Sequence, residues 1–294
     1  MPYATVAFMN REVKRAMRNT MTVSLAFAII VSASLSPTQA VAATKVSKQC
    51  KQLVVAGHRG KHYPAATTDE NTLKAFKDAK KAGTTLMEID SWNTSDGVPV
   101  VVHDQTWKRT IDPGTLKGVP AKVNETTFAQ VQALRTKGGE KVPTLQQAIQ
   151  WAGTAKVTLM VEIKWGFTDP GQVAAWVKQY KASVWFYQSP HAKWHNLTGV
   201  EAMQQYGMVT GVKMQDYYWL TPQQLHDAGY TFVAMSQNKL TKATVQAHHA
   251  LGIKVYPKNS SKKAEWQKMY KAGVDGIIAS NPVKLAKWKA SGCK

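Results

Sequence analysis

Four short segments of this 294-residue chain carry side chains that could bind a metal ion, transfer a proton or hold a phosphate. The segments are Gly57-His58-Arg59-Gly60, Glu88-Ile89-Asp90, His103-Asp104 and Glu162-Ile163-Lys164. Residues two positions apart on a strand point to the same face, so Glu88 lies beside Asp90 and Glu162 beside Lys164. Three carboxylates facing a common centre repel one another unless a hard cation such as Ca²⁺ or Mg²⁺ bridges them.

The remaining side chains complete a recognisable set. Two histidines, His58 and His103, can serve as a general acid and general base near neutral pH. Arg59 and Lys164 can hold a phosphate by charge and hydrogen bonding. A divalent cation, an acid–base pair and a cationic clamp together predict cleavage of a phosphodiester.

Alternating strand and helix patterns predict the framework that positions these residues. The predicted strands are 53–56, 86–90, 157–163, 184–188, 208–212, 230–235, 253–256 and 276–278. The predicted helices are 71–81, 144–152, 171–181, 200–206, 221–227, 241–251, 260–271 and 282–290. Eight strands alternating with eight helices predict an α/β protein with a TIM (β/α)8 barrel, whose active site lies at the carboxyl ends of its strands.

The starts of several helices have capping signals. Asn71 and Thr144 are predicted N-caps, and Pro170, Pro222 and Pro282 are suited to the first helical turn. Pro99–His103 is also strand-like, but it follows Asp90 too closely for a parallel crossover. The turn signal at Ser95-Asp96-Gly97 predicts a β-hairpin that brings His103 back to the level of Asp90. Residues 105–141 are then predicted to form a small insertion over the barrel mouth.

The N-terminus has the features of a secretory signal peptide. Four basic residues precede an apolar run at about 21–35, and Ala40-Val41-Ala42 offers small residues for cleavage. We therefore expect residues 1–42 to be removed by a signal peptidase. Residues 43–294 should form a single domain, and this mature protein should be secreted and extracellular. An uncleaved membrane anchor is the alternative, although the run is short for a bilayer. No later segment is long and apolar enough to span.

The two cysteines, Cys50 and Cys293, lie near the two ends of the predicted mature chain. In an oxidising compartment a disulfide between them would join the ends of a closed fold. Two unrelated buried thiols are the alternative.

Composition indicates a folded, strongly basic protein. The chain is 44% hydrophobic, has ten Trp and carries a formal charge of +20, of which +17 remains after residue 42. Such a charge favours encounter with polyanions. The lysines are scattered, and nothing indicates specific nucleic-acid binding.

Six motifs resemble those of the glycerophosphodiester phosphodiesterase family in type, order and spacing. They are His58-Arg59-Gly60, Glu70-Asn71-Thr72, Glu88-Ile89-Asp90, 96–104 (DGVPVVVHD), Pro143-Thr144-Leu145 and Glu162-Ile163-Lys164. The match is close over 53–164 and weaker at 273–278, and the secreted bacterial members are the nearest type. The family is a TIM barrel with a hairpin and an insertion after the second strand.

The resemblance implies a role for each motif residue. Glu88, Asp90 and Glu162 would bind one divalent cation, Ca²⁺ or Mg²⁺. His58 and His103 would exchange protons, and Arg59 and Lys164 would hold the phosphate. Glu70 would orient Arg59. The implied reaction is hydrolysis of a glycerophosphodiester to glycerol 3-phosphate and an alcohol through a cyclic phosphate, as a step of lipid metabolism.

Three positions depart from the family pattern. Asp69 stands where the family has Pro before Glu-Asn-Thr. The seventh and eighth barrel strands end in Tyr256-Pro257-Lys258-Asn259 and Ala279-Ser280-Asn281-Pro282, where the family has Trp-Thr-Val-Asn and Thr-Asp. The loss of an acidic residue and the gain of Lys258 make the leaving-group side more positive, which favours a polyanionic substrate.

Two alternatives remain open from the sequence. A phospholipase similar to sphingomyelinase D would share the barrel, the metal and the two histidines. A non-catalytic barrel that binds polyanions would account for the charge.

Overall fold

The computed structural model describes residues 46–61, 69–189, 197–215, 220–258 and 262–294. The predicted signal peptide lies outside these residues. No helix in the described part of the chain is both long and apolar enough to cross a membrane.

Nine strands form one sheet. They are Val54–His58 (β1), Leu86–Asn93 (β2), Pro99–Val101 (β3), Thr158–Ile163 (β4), Ser183–Gln188 (β5), Val209–Met214 (β6), Phe232–Met235 (β7), Lys254–Pro257 (β8) and Gly276–Ala279 (β9). Eight run parallel in the order β8-β7-β6-β5-β4-β2-β1-β9. A parallel bridge between Lys258 and Ile278 joins the two outer strands. The predicted TIM barrel is therefore confirmed.

The structure describes ten helices, and eight of them follow the eight parallel strands as the alternation predicts. They are Lys48–Gln52 (α1), Leu73–Lys81 (α2), Phe128–Ala133 (α3), Leu145–Ala155 (α4), Pro170–Gln179 (α5), Thr198–Gln204 (α6), Pro222–Asp227 (α7), Lys242–His249 (α8), Lys263–Ala272 (α9) and Pro282–Ala290 (α10). Short 3₁₀ turns cover Pro113–Thr115, Val123–Glu125 and Gln237–Lys239. Thr144 caps α4, and α5, α7 and α10 have Pro in their first turn.

One predicted cap was wrong. The hydroxyl of Thr72, not the amide of Asn71, caps α2 by accepting a hydrogen bond from the Ala75 N–H. Asn71 instead adopts a left-handed backbone with φ of 57°. Its side-chain amide donates to Asp90 Oδ2 at 2.9 Å. Asn tolerates this backbone region better than most residues, and its amide suits a buried carboxylate partner.

Two apolar layers enclose the sheet. The larger one packs the helices against the outer faces of the strands. The smaller one fills the barrel interior with Ala56, Leu86, Met160, Tyr187, Phe232, Ala234, Tyr256 and Ile278. Leu86 and Met160 precede Glu88 and Glu162 by two positions on the same strand faces. The barrel thus has an apolar floor directly beneath its acidic residues.

The hairpin is also confirmed. β3 pairs antiparallel with β2, with Ser91 opposite Val101 and Asn93 opposite Pro99. The Val102 N–H donates to the Asp90 carbonyl at 3.1 Å, and the Trp92 indole donates to the His103 carbonyl at 3.0 Å. These bonds bring His103 back to the level of Asp90.

The segment after the hairpin has its own apolar cluster, formed by Val100, Val102, Trp107, Ile111, Val123, Val131, Leu134 and Val142. Its two short 3₁₀ turns, α3 and isolated bridges supply little regular structure. Burial of these side chains holds the insertion together as a small unit beside the barrel.

Cys50 and Cys293 are joined by a disulfide, with their Cα atoms 5.9 Å apart and a sequence separation of 243. Cys50 lies in α1, which precedes β1. The bond therefore joins the first and last parts of the barrel domain at the end of β1 opposite His58.

Candidate active site

The loop after β1 has a backbone conformation that its sequence requires. Arg59 has φ of 55° and Gly60 has φ of 82°. A Cβ atom on Gly60 would lie 2.8 Å from the Ala75 backbone and side chain, so α2 leaves no room for a larger residue. This close approach lets the Arg59 N–H donate to Glu88 Oε2 at 3.1 Å. The glycine of the His-Arg-Gly motif thus places Arg59 over the second strand.

Three carboxylates gather at the carboxyl ends of β2 and β4. Glu88, Asp90 and Glu162 are at most 1% exposed, and one oxygen of each lies within 4.8 Å of the others. The Tyr187 hydroxyl lies between two of them, 2.5 Å from Glu88 Oε1 and 3.2 Å from Glu162 Oε2. The inward-facing pairs expected on these strands are therefore brought together in the barrel.

Lysines surround the acidic residues. The Lys164 Nζ lies 2.8 Å from Asp90 Oδ1 and 3.0 Å from Glu162 Oε1. The Lys213 Nζ, from the end of β6, lies 2.7 Å from the same Glu162 oxygen. Lys258 follows β8 and interacts electrostatically with Glu162. Across the described ranges, no carboxylate oxygen lies within 4 Å of the Lys258 ammonium.

Burial and these charges set the protonation of the acidic residues. Burial and the charge of Asp90 raise the pKa of Glu88 to about 7. Burial also disfavours ionisation of Asp90 and Glu162, but Lys164 and other cations outweigh it and hold both pKa values below the ordinary range. Burial lowers the pKa of Lys258 to about 8. Glu88 is therefore the carboxylate with the least cationic compensation.

Each residue of Glu70-Asn71-Thr72 has a separate contact. Glu70 Oε1 accepts a hydrogen bond from Arg59 Nη1 at 2.9 Å, the contact expected of a residue that orients Arg59. Asn71 binds Asp90 through its side chain, and Thr72 caps α2. The motif therefore links the loop after β1, the acidic residues and the first barrel helix.

The two histidines reach the site from different segments. His58, at the end of β1, is 4% exposed, and its Nε2 lies 3.9 Å from Glu88 Oε2. Its Nδ1 lies 3.3 Å from the Ser280 hydroxyl. His103 follows the hairpin and is more exposed. Its Nδ1 lies 2.6 Å from Asp104 Oδ1.

Burial lowers the pKa of His103, and the nearby cations Lys164 and Arg59 act in the same direction. The charge of Asp90 and the hydrogen bond to Asp104 oppose this shift without cancelling it. The imidazole of His103 is therefore neutral at pH 7. With its Nδ1–H directed at Asp104, its Nε2 can accept a proton.

The acidic residues have the properties of a divalent-cation site. Their oxygens are hard donors, and Ca²⁺ binds oxygen at about 2.3–2.6 Å, so two oxygens on one ion can be separated by at most about 5 Å. The observed separations lie within this limit. A cation would also offset the cost of burying Glu88 as an anion.

All the predicted polar site residues except the cysteines lie around this one centre: His58, Arg59, Glu70, Glu88, Asp90, His103, Glu162 and Lys164. Reasoning from the sequence missed Tyr187, Lys213 and Arg109, whose guanidinium donates hydrogen bonds to Asp104 and Glu70. Lys213 had a detectable signal, because a lysine is unusual at an inward position near the end of a buried strand. Tyr187 reads as core, and the position of Arg109 depends on the folding of the insertion.

Several known proteins resemble this chain in sequence. A model of the glycerophosphoryl diester phosphodiesterase family matches residues 58–284. A glycerophosphodiester phosphodiesterase of Caldanaerobacter subterraneus is 28% identical over 258 residues, which cover 80% of this chain and 96% of that protein. Human glycerophosphodiester phosphodiesterase 1 is 32% identical over 147 residues, but the match covers only 47% of this chain and 42% of the human protein.

Solved structures share the fold. A phosphodiesterase of Oleispira antarctica, in complex with the product sn-glycerol-3-phosphate, has a TM-score of 0.68 at 21% identity and covers 82% of this chain and 98% of its own. A glycerophosphodiester phosphodiesterase of Parabacteroides distasonis has a TM-score of 0.68 at 21% identity, covering 83% and 99%. Because the family model matches most of the sequence, the chain belongs to the glycerophosphoryl diester phosphodiesterase family, a family of phosphoric diester hydrolases.

Proposed function

We propose that this protein hydrolyses a glycerophosphodiester to glycerol 3-phosphate and an alcohol. The observation that carries the proposal is the gathering of three buried carboxylates, two histidines and the cations Arg59 and Lys164 at one barrel mouth. Family membership and the glycerol 3-phosphate in the Oleispira antarctica structure favour the same substrate class.

In this proposal Glu88, Asp90 and Glu162 hold one divalent cation, Ca²⁺ or Mg²⁺. When bound, the cation polarises the phosphoryl oxygens and offsets the charge that develops on them. Arg59 and Lys164 orient the phosphate by directing donors at its oxygens. The apolar floor beneath the carboxylates keeps these interactions in a low dielectric, where they are stronger than in water.

Two histidines move the protons. His103 accepts the proton of the substrate hydroxyl next to the phosphodiester as that oxygen forms a bond to phosphorus. His58 donates a proton to the alcohol oxygen as its bond to phosphorus breaks, giving a cyclic phosphate and the free alcohol. In the second step His58 takes a proton from water, the water oxygen bonds to phosphorus, and His103 returns a proton to the ring oxygen that leaves. Proton transfer by positioned side chains of this kind increases the reaction rate about 10²- to 10⁴-fold.

A substrate panel tests the proposal. The purified protein is incubated with glycerophosphocholine, glycerophosphoglycerol and sphingomyelin, with Ca²⁺, Mg²⁺ or a chelator, and the products are separated by thin-layer chromatography. We expect metal-dependent release of glycerol 3-phosphate and no choline from sphingomyelin. Choline release from sphingomyelin would instead favour a phospholipase similar to sphingomyelinase D. Polyanion binding with no turnover would favour a non-catalytic barrel.

We further propose that the substrate carries more than one negative charge. Lys213 and Lys258 add two ammonium groups to the site, and the chain after residue 42 carries +17. If long-range attraction guides such a substrate, kcat/KM falls as the Debye length shrinks from about 30 Å at 0.01 M salt to about 8 Å at 0.15 M. Glycerophosphocholine, a zwitterion with no net charge, should show a shallower dependence than a glycerophosphate polymer. Equal slopes for both would contradict the proposal.

We also propose that the protein is exported and cleaved near Ala42. The signal-like N-terminus and the disulfide between Cys50 and Cys293 both favour an oxidising compartment. N-terminal sequencing of protein recovered outside the cells tests this. An intact N-terminus in membrane fractions would favour an uncleaved anchor.

A further inference from the structure

Five side chains form a continuous chain of contacts across the barrel mouth. His103 contacts Asp104 at 2.6 Å, and both Asp104 oxygens accept hydrogen bonds from Arg109, at 2.5 and 3.2 Å. Arg109 Nη2 also donates to Glu70 Oε1 at 2.5 Å. The same Glu70 oxygen accepts from Arg59 Nη1 at 2.9 Å. From Asp104 to Arg59, anionic and cationic groups therefore alternate.

Arg109 is the middle residue of this series of contacts. It belongs to the insertion, outside the motifs that contain the acidic residues. Its guanidinium uses Nε and Nη2 on Asp104 and Nη2 on Glu70, so two carboxylates share one planar group. A planar fork can do this, whereas a lysine ammonium acts as a single point charge. The contact therefore depends on arginine geometry as well as on charge.

The two ends of this series of contacts belong to different segments of the barrel mouth. Arg59 lies in the loop after β1, whereas His103 follows the hairpin. We infer that Arg109 is a positioning residue that fixes His103, through Asp104, and Arg59, through Glu70, relative to each other. This inference rests on the proposed function, because it assigns His103 to proton transfer and Arg59 to phosphate binding.

A purely structural role for Arg109 fits the molecule less well. Its side chain is 47% exposed, and exposed ion pairs contribute little to stability. The insertion is held by its own apolar cluster. A hydrogen bond from the Gly138 N–H to Asp69 Oδ2, at 2.5 Å, attaches it separately to the segment before α2. Loss of Arg109 should therefore disturb the catalytic groups more than the fold.

The experiment compares Arg109→Met and Arg109→Lys in the full domain, with Lys108→Met as a matched control. Lys108 is adjacent and exposed, and the ion pairs to Glu70 and Asp104 come from Arg109, so Lys108→Met removes the same charge without breaking either pair. We expect Arg109→Met to lower kcat about tenfold to hundredfold, with a smaller rise in KM, because small displacements of catalytic groups cost this much. The Tm should change by no more than about 4 °C. Lys108→Met should retain wild-type kinetics.

Two further readouts distinguish positioning from stability. In a double-mutant cycle, Arg109→Met and Asp104→Asn should be strongly non-additive, because each breaks the same link. The imidazole of His103, titrated by NMR, faces Asp90, Lys164, Arg59 and Asp104. Arg109→Met removes a nearby cation and should raise its pKa, whereas Asp104→Asn removes the acceptor of Nδ1–H and should lower it.

Several results would overturn the inference. Wild-type kcat in Arg109→Met would show that the link has no catalytic effect. Wild-type kcat in Arg109→Lys would show that a positive charge at this position suffices without the arginine geometry. Additive effects in the double-mutant cycle would show that Arg109 does not act through Asp104. The NMR titration needs no substrate, so it remains decisive if glycerophosphodiesters are not turned over. In that case an unshifted His103 contradicts the network, and inactive wild-type protein contradicts the proposed function.

Discussion

Glu88→Gln and Glu162→Gln should both abolish metal binding and activity, but only Glu162→Gln should destabilise the metal-free fold. Glu162 is paired with two ammonium groups, at 2.7 Å from Lys213 and 3.0 Å from Lys164, and these side chains are only 10–11% exposed. Removing one partner of a buried pair leaves the other charge uncompensated and costs about 3–5 kcal/mol. At this size of domain the loss corresponds to a fall in Tm of about 6–20 °C.

Among the residues that the structure describes, no ammonium or guanidinium group pairs with Glu88 in this way. Its contacts are the Tyr187 hydroxyl, the Arg59 N–H and His58 Nε2 at 3.9 Å. Its pKa is raised to about 7, so its ionised form destabilises the fold, and this penalty grows from pH 4.5 to its full value above pH 7. At pH 8 the penalty is on the order of 3 kcal/mol. Glu88→Gln should therefore leave the free energy of unfolding unchanged or raise it.

Urea unfolding at pH 8 in excess chelator measures both variants. Glu125→Gln is the control, because Glu125 pairs with Lys122 on the exposed surface, where an ion pair contributes about 0–1 kcal/mol. Calcium titration calorimetry checks that both site variants have lost the metal. If Glu88→Gln is destabilised as much as Glu162→Gln, the assignment of Lys164 and Lys213 to Glu162 is incorrect.

Three other predictions follow from the same geometry. His58→Ala and His103→Ala should each lower kcat by about 10²-fold or more at unchanged Tm; near wild-type turnover in either variant would remove that histidine from the mechanism. Because burial lowers the pKa of His103, kcat/KM should decline on acidification with a midpoint below pH 6.5. This midpoint should shift to still lower pH in Asp104→Asn, and a midpoint above pH 6.5 in the wild type would contradict the prediction. Replacing Cys50 and Cys293 by Ala should lower the free energy of unfolding by about 5 kcal/mol, because the two cysteines are 243 positions apart. The kcat should not change, and a marked fall in kcat would contradict the separation of the disulfide from the active site.

Local sequence was sufficient to predict the barrel and the clustering of most of the polar residues at its mouth. Glu88-Ile89-Asp90 and Glu162-Ile163-Lys164 sit at strand ends, where period-two alternation and parallel pairing place their side chains at one rim. The short spacing from Asp90 to Pro99 excluded a crossover and therefore predicted the hairpin that returns His103. These inferences depend only on spacing within one or two elements.

The contacts that sequence reasoning missed involve distant segments. Arg109 meets Glu70 across 39 positions, and Lys213 meets Glu162 across 51. Nothing in the residues around Arg109 distinguishes it from an exposed basic residue until the insertion is folded. Asn71 shows the same limit at short range: its capping signal was genuine, but a buried carboxylate competed for its amide and Thr72 became the cap.

The lysines around the carboxylates predict that metal and phosphate bind cooperatively. Lys164 and Lys213 both pair with Glu162, so a divalent cation must compete with them for that carboxylate. Once the cation is bound, their ammonium groups are available to an anionic phosphate, and thermodynamic linkage requires each ligand to strengthen binding of the other by the same factor. In the absence of substrate, Lys213→Met should therefore bind Ca²⁺ about tenfold more tightly than the wild type, as measured by calorimetry. It should also lose much of the gain in Ca²⁺ affinity that glycerol 3-phosphate gives the wild type, whereas the exposed control Lys108→Met should change neither value. Weaker Ca²⁺ binding in Lys213→Met would show that this lysine supports the cation site instead of competing with it.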